Sequence, residues 1–213
     1  GRIEALNGTA PRDGLGRRLK AGDAVVASVA VPCGNCFSCR RGETASCLNF
    51  GGTYVKDPDV APHFHGGYAE YLYSPLANLV RIPSGVDLLA AAAFPCAGPT
   101  IIRACAYAGG LEKGELVVVQ GTGPMGLFAI AWAAAAGCTV AAIGSGSSPH
   151  RLALARAFGA KRVLDYRSMP AEERAAVIRA MARRLKRGDG ADVVIEASGA
   201  PSAVPEGLGL LRT

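Results

Sequence analysis

The stretch ELVVVQGTGPMG, residues 115–126, decides how the second half of the chain folds. It opens with an apolar, β-branched run and ends in a turn that holds three glycines, Gly121, Gly123 and Gly126. An alanine-rich segment that favours a buried helix follows, and after Gly137 comes a second apolar run, TVAAIG (139–144). The order of strand, glycine turn, helix and strand indicates a unit of a parallel α/β sheet.

The three glycines have the G-x-G-x-x-G spacing of a turn that holds the pyrophosphate of a dinucleotide. The first permits a tight turn, the second lets the backbone approach the pyrophosphate, and the third lets the helix pack on the strand. Amides at the helix N-terminus then face the phosphates. A turn with glycines for packing alone is the alternative. The predicted cofactor-binding residues of this turn are Gly121, Thr122, Gly123, Pro124, Met125 and Gly126.

The alternation of strands and helices continues toward the end of the chain. The pattern predicts a helix over 149–160 that Gly159 closes, a short strand over 162–166, an amphipathic helix over 171–187 and a fourth strand over 192–199. Such alternation indicates a parallel sheet with right-handed crossovers.

The acid that commonly holds the ribose hydroxyls of NAD, about twenty residues past the glycine turn, is missing. That place reads IGSGSSPHR (143–151). Small residues leave room for a 2′-phosphate, Ser147 and its serine neighbours are able to hydrogen-bond it, and His150 or Arg151 is able to pair with it. We therefore predict NADP or NAD as cofactor, with NADP slightly favoured. The alternative is that Arg151 merely covers the helix surface.

Four of the seven cysteines lie in VPCGNCFSCRRGETASCLNF (31–50), with the spacing Cys-x2-Cys-x2-Cys-x7-Cys. Cysteines three apart do not readily pair with each other, because the chain must double back to reach disulfide geometry. They converge more easily on an ion, and zinc takes four thiolates. Disulfides, an iron–sulfur cluster and a redox pair are the alternatives. The predicted structural zinc ligands are Cys33, Cys36, Cys39 and Cys47.

Composition limits the class of protein. Of the 213 residues, 50% are hydrophobic and 19% charged, which excludes wholesale disorder. The net charge of +6 comes from scattered basic residues, so a nucleic-acid partner is not favoured. The apolar stretches are too short for a membrane span, and no secretory signal opens the chain, so we expect a cytoplasmic protein.

Together these motifs resemble the zinc-dependent alcohol dehydrogenases of the medium-chain dehydrogenase/reductase superfamily. The cysteine segment has the spacing of their structural-zinc lobe. Around it, LKAGDAVV (19–26) resembles the family's approach to that lobe and HGGYAEYL (65–72) resembles its return strand. FPCAGPTIIRA (94–104) and DVVIEASGAPSA (192–203) complete the pattern. The resemblance covers nearly the whole chain.

The resemblance implies an α/β fold with two partial domains. Residues 1–97 correspond to a mainly β GroES-like catalytic domain with the zinc lobe at 33–47, and residues 98–213 to a Rossmann-type parallel-sheet cofactor domain. Residue 1 is not Met and the chain stops in what the pattern predicts as the middle of a helix, so we expect a fragment that lacks both ends. In full length, a homodimer or homotetramer is implied.

The resemblance also implies two further site residues. Cys96 corresponds to a ligand of the catalytic zinc, and Thr100 to a residue that contacts the nicotinamide. A buried free cysteine is the alternative for Cys96, and Cys105 and Cys138 are interpreted as core residues. The histidines at 63, 65 and 150 do not occupy the family's ligand positions.

The implied reaction is hydride transfer between a primary or secondary alcohol, or its aldehyde or ketone, and NAD(P), with a catalytic zinc as Lewis acid. The family's first two zinc-binding residues would precede Gly1, so we expect little activity from this chain. A zinc-free quinone or enoyl reductase of the same superfamily is one alternative. A non-catalytic, zinc-stapled protein that binds nucleic acid is the other. The partner is otherwise a small-molecule substrate, with no nucleic acid and no membrane.

Overall fold

The computed structural model of the protein describes residues 1–28, 32–49, 57, 59–61 and 67–213. These residues form two compact units, Gly1–Cys96 and Ala97–Thr213. His63, His65 and the first two residues of HGGYAEYL lie outside the described residues. No helix among the described residues is both long enough and apolar enough to cross a membrane.

The described residues of the first unit contain one antiparallel pair of short strands, in which Val26 lies opposite Val80. Its elements are β1 (Val25–Ala27), α1 (Phe37–Arg40), 3-10 turns at Thr44–Ser46 and Leu76–Asn78, β2 (Leu79–Arg81) and α2 (Leu88–Ala92). A small apolar core beside the strand pair consists of Ile3, Leu19, Val25 and Leu79.

A buried carboxylate organises the loop that leads into this core. Oδ1 of Asp13 accepts the backbone amides of Leu15 and Arg17 at 3.0 and 2.8 Å. Oδ2 accepts the guanidinium of Arg17 at 2.9 Å and the amide of Arg81 at 3.0 Å. Because all four donors converge on one side chain, Asp13 fastens its own turn to strand β2.

The prediction of a return strand is wrong for residues 67–72, the described part of that segment. Residues 67–70 form bends, and residues 71–72 have no regular secondary structure. A strand needs a neighbour to pair with, and the sheet in the described part of this unit consists of β1 and β2. The side chains of Tyr68, Tyr71 and Leu72 are exposed, so packing does not hold the segment in an extended conformation either.

The second unit is a parallel four-stranded sheet with the strand order β5-β4-β3-β6. Helix α3 (Phe94–Tyr107) leads into it. The elements that follow are β3 (Leu116–Gln120), α4 (Pro124–Ala135), β4 (Thr139–Gly144), α5 (Pro149–Ala157), β5 (Arg162–Asp165), α6 (Ala171–Arg184), β6 (Val193–Glu196) and α7 (Ala203–Leu210). The predicted alternation and the parallel sheet are confirmed.

Strand β3 lies at the centre of the core and is fully buried from Leu116 to Val119. Successive side chains of a strand point to opposite faces. Val117 and Val119 therefore pack with α3, α4 and α5, while Leu116 and Val118 pack with α6 and α7. Helices on both faces explain why the strand sequence is a continuous apolar run rather than an alternating one.

Helix α6 ends at Arg184, three residues before the predicted end. Lys186 adopts a left-handed conformation with φ of 57°. The amide of Arg187 donates back to the carbonyl of Ala182 at 2.9 Å, which closes the helix. The same reversal brings the Arg187 guanidinium to Asp192 at 2.7 Å, so an ion pair accompanies the early end.

Strand β6 and the end of the chain also differ from the prediction. β6 stops at Glu196 because the carboxylate of that residue accepts the amides of Ser198 and Gly199 at 2.7 and 3.0 Å, which turns the chain. The predicted mid-helix end is wrong. Helix α7 finishes at Leu210, and Leu211 forms a parallel bridge with Ala191.

Candidate functional site

The four cysteines predicted to bind zinc come together in the first unit. The Sγ atoms of Cys33, Cys36, Cys39 and Cys47 all lie within 4.8 Å of one another. The Sγ atoms of Cys36 and Cys47 are 3.9 Å apart. Zinc–sulfur bonds of about 2.3 Å in a tetrahedron place sulfurs roughly 3.8 Å apart, so the spacing suits a zinc ion.

Short local elements aim these thiols at one point. Cys36 directly precedes the single-turn helix α1, and Cys39 lies within it. A helical turn brings residues three apart onto one face. Gly34, with φ of 78°, permits the preceding turn. Cys47 follows the 3-10 turn, and the amide of Cys33 donates to its Sγ at 3.3 Å. The loop therefore curls around a common centre.

The surroundings of these thiols lower the pKa of some and raise the pKa of another. The amide of Asn35 and the side chain of Asn49 lower the pKa of Cys33 to about 6. The amide of Cys39 lowers the pKa of Cys36. Burial, with the neighbouring Cys36, raises the pKa of Cys39 to about 12. A cation at the centre is what would stabilise four thiolates together.

None of the seven cysteines, all of which lie in the described part of the chain, is in a disulfide. Cys105 and Cys138 are buried in the second unit, as interpreted from the sequence. Among the described residues, the four-cysteine cluster is the one group of His, Cys, Asp and Glu placed to hold a metal. Chemistry and spacing of the donors thus fit a structural zinc.

Cys96 and Thr100 both lie on helix α3 and both are exposed. No described His, Cys, Asp or Glu joins Cys96 in a metal-binding cluster. The roles of Cys96 as a catalytic zinc ligand and of Thr100 as a nicotinamide contact therefore stay predictions.

The second candidate site is the glycine turn between β3 and α4. Gly121 has φ of 112°, and a Cβ there would lie 2.7 Å from the carbonyl oxygen of Ala197. Gly123 precedes α4, and Pro124 occupies the first helical position. A proline there fits the helix because its missing amide would have no partner within the helix.

The two remaining glycines of the turn differ in the space around them. A Cβ at Gly126 would overlap the carbonyl oxygen of Gly121, so helix and strand meet there without side chains. A Cβ at Gly123 would meet no protein atom within 4 Å. Gly123 therefore faces open space, which is what close approach of a pyrophosphate requires.

This turn lies at the reversal point of the sheet. From β3 the chain proceeds to β4 and β5 on one side and then crosses to β6 on the other. Ligands of open α/β sheets bind at the carboxyl ends of the strands at such a point. Here the end of β6 joins that of β3, because the amide of Ala197 donates to the carbonyl of Gln120 at 2.8 Å.

The serine loop after β4 sits at the same edge of the sheet. The hydroxyl groups of Ser145 and Ser147 are 2.7 Å apart. The amide of Gly146 donates to Oδ1 of Asp165 at 2.7 Å. Arg151 lies on the first turn of α5 and is exposed. Asp165 was not predicted as a site residue, although RVLDY (162–166) places an acid at the end of the next strand.

Two family descriptions match the chain, one for each end. "Alcohol dehydrogenase GroES-like domain" matches residues 1–84, and "Zinc-binding dehydrogenase" matches residues 124–213. The first contains the four-cysteine cluster, and the second begins at Pro124, within the glycine turn, and contains the strands β4 to β6. These two matches agree with the site geometry of each unit.

Curated relatives agree with these matches. The chain is 35% identical over 211 residues to 5-exo-hydroxycamphor dehydrogenase of Pseudomonas putida, covering 99% of this chain and 56% of that protein. It is 33% identical over 193 residues to L-threonine 3-dehydrogenase of Enterobacter sp. (strain 638), covering 89% of this chain and 51% of that protein. The chain thus spans about half the length of the curated relatives it matches.

Solved structures confirm the fold. An alcohol dehydrogenase from Thermotoga maritima superimposes with a TM-score of 0.88 at 34% identity, covering 100% of this chain and 57% of that one. Alcohol dehydrogenase TADH from Thermus sp. ATN1 gives 0.73 at 28% identity, covering 91% of this chain and 53% of that one. With both units and both motifs in place, the chain belongs to the zinc-dependent alcohol dehydrogenase-like proteins of the medium-chain dehydrogenase/reductase superfamily.

Proposed function

We propose that the chain is part of an oxidoreductase that transfers a hydride between a primary or secondary alcohol, or its aldehyde or ketone, and NAD(P). One observation carries this proposal. The glycine turn lies at the reversal point of the sheet, and Gly123 faces open space where a pyrophosphate would approach. The named relatives that act on hydroxyl-bearing compounds support the same reaction class.

Each unit has its own part in this proposal. Cys33, Cys36, Cys39 and Cys47 would hold a structural zinc and so fix the lobe of the first unit. The turn from Gly121 to Gly126, with the N-terminus of α4, would bind the pyrophosphate. A nicotinamide dinucleotide supplies the hydride acceptor when bound.

Four finer points belong to the proposal. Cys96 serves as one ligand of a catalytic zinc, a Lewis acid toward the substrate oxygen, and Thr100 contacts the nicotinamide. NADP is slightly favoured over NAD because the serine loop lacks an acid of its own. The full-length protein is a cytoplasmic homodimer or homotetramer.

The first experiment is zinc per chain by elemental analysis, combined with a count of reactive thiols and a titration with NADH and NADPH. We expect about one zinc, protection of the four lobe cysteines, and saturable binding of a dinucleotide. About two zinc ions per chain would mean that Cys96 has additional partners and that activity is to be assayed at once. Absence of dinucleotide binding at millimolar concentration would contradict the proposal.

A further inference from the structure

Asp165 lies at the end of β5, directly beside the serine loop that follows β4. In the parallel pairing of these strands Asp165 is the partner of Gly144. Its carboxylate reaches past that position, and Oδ1 accepts the amide of Gly146 at 2.7 Å. A Cβ at position 146 would overlap Oδ2, so the carboxylate lies against bare backbone.

Gly146 occupies the place where an acid from the chain's own second strand is expected. It follows Gly126 by twenty residues, the usual distance to the acid that holds the ribose of a dinucleotide. A carboxylate is therefore present beside the position where the ribose is expected, but it comes from Asp165 at the end of the neighbouring strand β5. Because this carboxylate accepts backbone amides at the loop, its position is fixed rather than dependent on a mobile side chain.

We propose that Asp165 is a specificity-determining residue for the dinucleotide, and that its negative charge weakens binding of a 2′-phosphate. The inference rests on the proposed function, because it concerns the same dinucleotide site. Like charges repel, and a 2′-phosphate would bring up to two negative charges to the loop that Asp165 holds. NAD, whose ribose carries hydroxyl groups there, would feel no such penalty.

Groups on the neighbouring segments also influence the dinucleotide site. Arg151 and His150 lie on the first turn of α5, after the serine loop, where they are the predicted partners of an anion. Arg167 donates its backbone amide to Asp165 at 3.0 Å, and its charge together with that amide lowers the pKa of the carboxyl. The carboxylate is therefore ionised at neutral pH. Asp165 and Arg151 thus act in opposite directions on the choice between NADP and NAD.

The test is Asp165→Asn in the zinc-loaded chain. Asparagine keeps an oxygen that accepts the Gly146 amide, so the loop keeps its anchor while the charge is lost. Dissociation constants for NADPH and NADH are measured by fluorescence titration of the reduced nicotinamide. We expect the constant for NADPH to fall by roughly fivefold at low salt, by screened Coulomb repulsion, and that for NADH to change less than about twofold.

A matched control and the salt dependence make the test specific. Asp189→Asn removes one exposed charge before β6, at the opposite edge of the sheet, and is expected to leave both constants unchanged. The gain in NADPH binding by Asp165→Asn is expected to shrink in about 1 M salt, where the screening length falls to roughly 3 Å. If the gain in NADPH affinity is the same at low and high salt, the electrostatic inference is overturned.

Two further outcomes separate this inference from the proposed function. If the unaltered chain binds both dinucleotides and Asp165→Asn leaves the ratio of constants unchanged, Asp165 does not set specificity and the proposed function stands. Equal weakening of both dinucleotides would likewise overturn the inference, because it indicates a purely structural role. If the unaltered chain binds neither, the proposed function itself fails.

Discussion

The carbonyl oxygen of Gly121 lies against the Cα of Gly126, where a side chain would overlap it. This contact sets how closely helix α4 approaches strand β3. Gly123, between the two, has open space instead. Packing of the helix on the strand therefore requires glycine at position 126, whereas no contact within the protein requires glycine at position 123. Substitutions at the two positions distinguish a structural role from a role in binding.

Gly126→Ala is expected to destabilise the second unit, because its Cβ forces the helix away from the strand. Overpacking of this kind costs about 1–3 kcal/mol. The melting temperature and the urea midpoint report the loss.

Gly123→Ala is the matched substitution in the same turn. Its backbone φ of −76° suits alanine, so we expect the free energy of unfolding to stay within about 0.5 kcal/mol. NADH binding is expected to weaken at least tenfold, because the new methyl group occupies the space into which the pyrophosphate would come. Unchanged NADH affinity in Gly123→Ala would contradict the proposed binding mode.

Local sequence patterns were sufficient to predict most of the second unit. Strand β3 is an unbroken apolar run because it is covered on both faces, and Gly159 ends α5 in a left-handed conformation that glycine adopts readily. The four-cysteine cluster was predictable for a similar reason. Its ligands lie within fifteen residues, so the spacing itself contains the geometry.

Contacts that depend on the folded backbone could not be predicted in this way. The pairing of Arg187 with Asp192 accompanies the early end of α6, and the position of Asp165 beside Gly146 depends on the register of two strands. Neither relation leaves a periodic signal in the sequence. The return strand at 67–72 was wrong because a strand depends on a neighbour that the local sequence does not reveal.

Cys47→Ser is expected to remove the structural zinc. Cys47 is the buried member of the cluster, and zinc binding contributes to folding where the ligands come from a short loop. Zinc per chain should fall from about one to near zero after dialysis, and amides of residues 33–47 should exchange with solvent faster.

Cys105→Ala is the control for the loss of a buried cysteine. It lies in the apolar core of the second unit, so we expect a lower melting temperature of that unit with zinc content unchanged. A Cys47→Ser protein that retains a full equivalent of zinc would contradict the assignment of the lobe.

The pair Arg174 and Glu206 joins α6 to α7. Nε and one terminal nitrogen of Arg174 donate to the two carboxylate oxygens of Glu206, each at 2.7 Å. The side chains are only 7% and 17% exposed. Arg174→Met is expected to cost about 3–5 kcal/mol, because it leaves a largely buried carboxylate without a partner.

The double substitution Arg174→Met with Glu206→Leu is expected to be more stable than Arg174→Met alone, since no charge is then left buried. Urea unfolding of the two single variants and the double variant gives the coupling between the residues. Strict additivity of the single effects would show that the two side chains do not depend on each other.

Asp13 makes the stability of the first unit depend on pH. Burial alone would raise the pKa of its carboxyl, but the amides of Arg81 and Arg17, the Arg17 guanidinium and the Leu15 amide together hold it well below the ordinary 3.8. The contribution to stability is therefore complete above that value and is lost as pH falls further. At pH 7 we expect Asp13→Asn to reduce the free energy of unfolding by about 2 kcal/mol, because its amide group faces donors. The difference in free energy of unfolding between the unaltered protein and Asp13→Asn, measured in urea, should become smaller from pH 6 to pH 3. A difference that stays constant over this range would rule out the ionised carboxylate as its source. Asp23→Asn is the control for removal of one charge from the same unit.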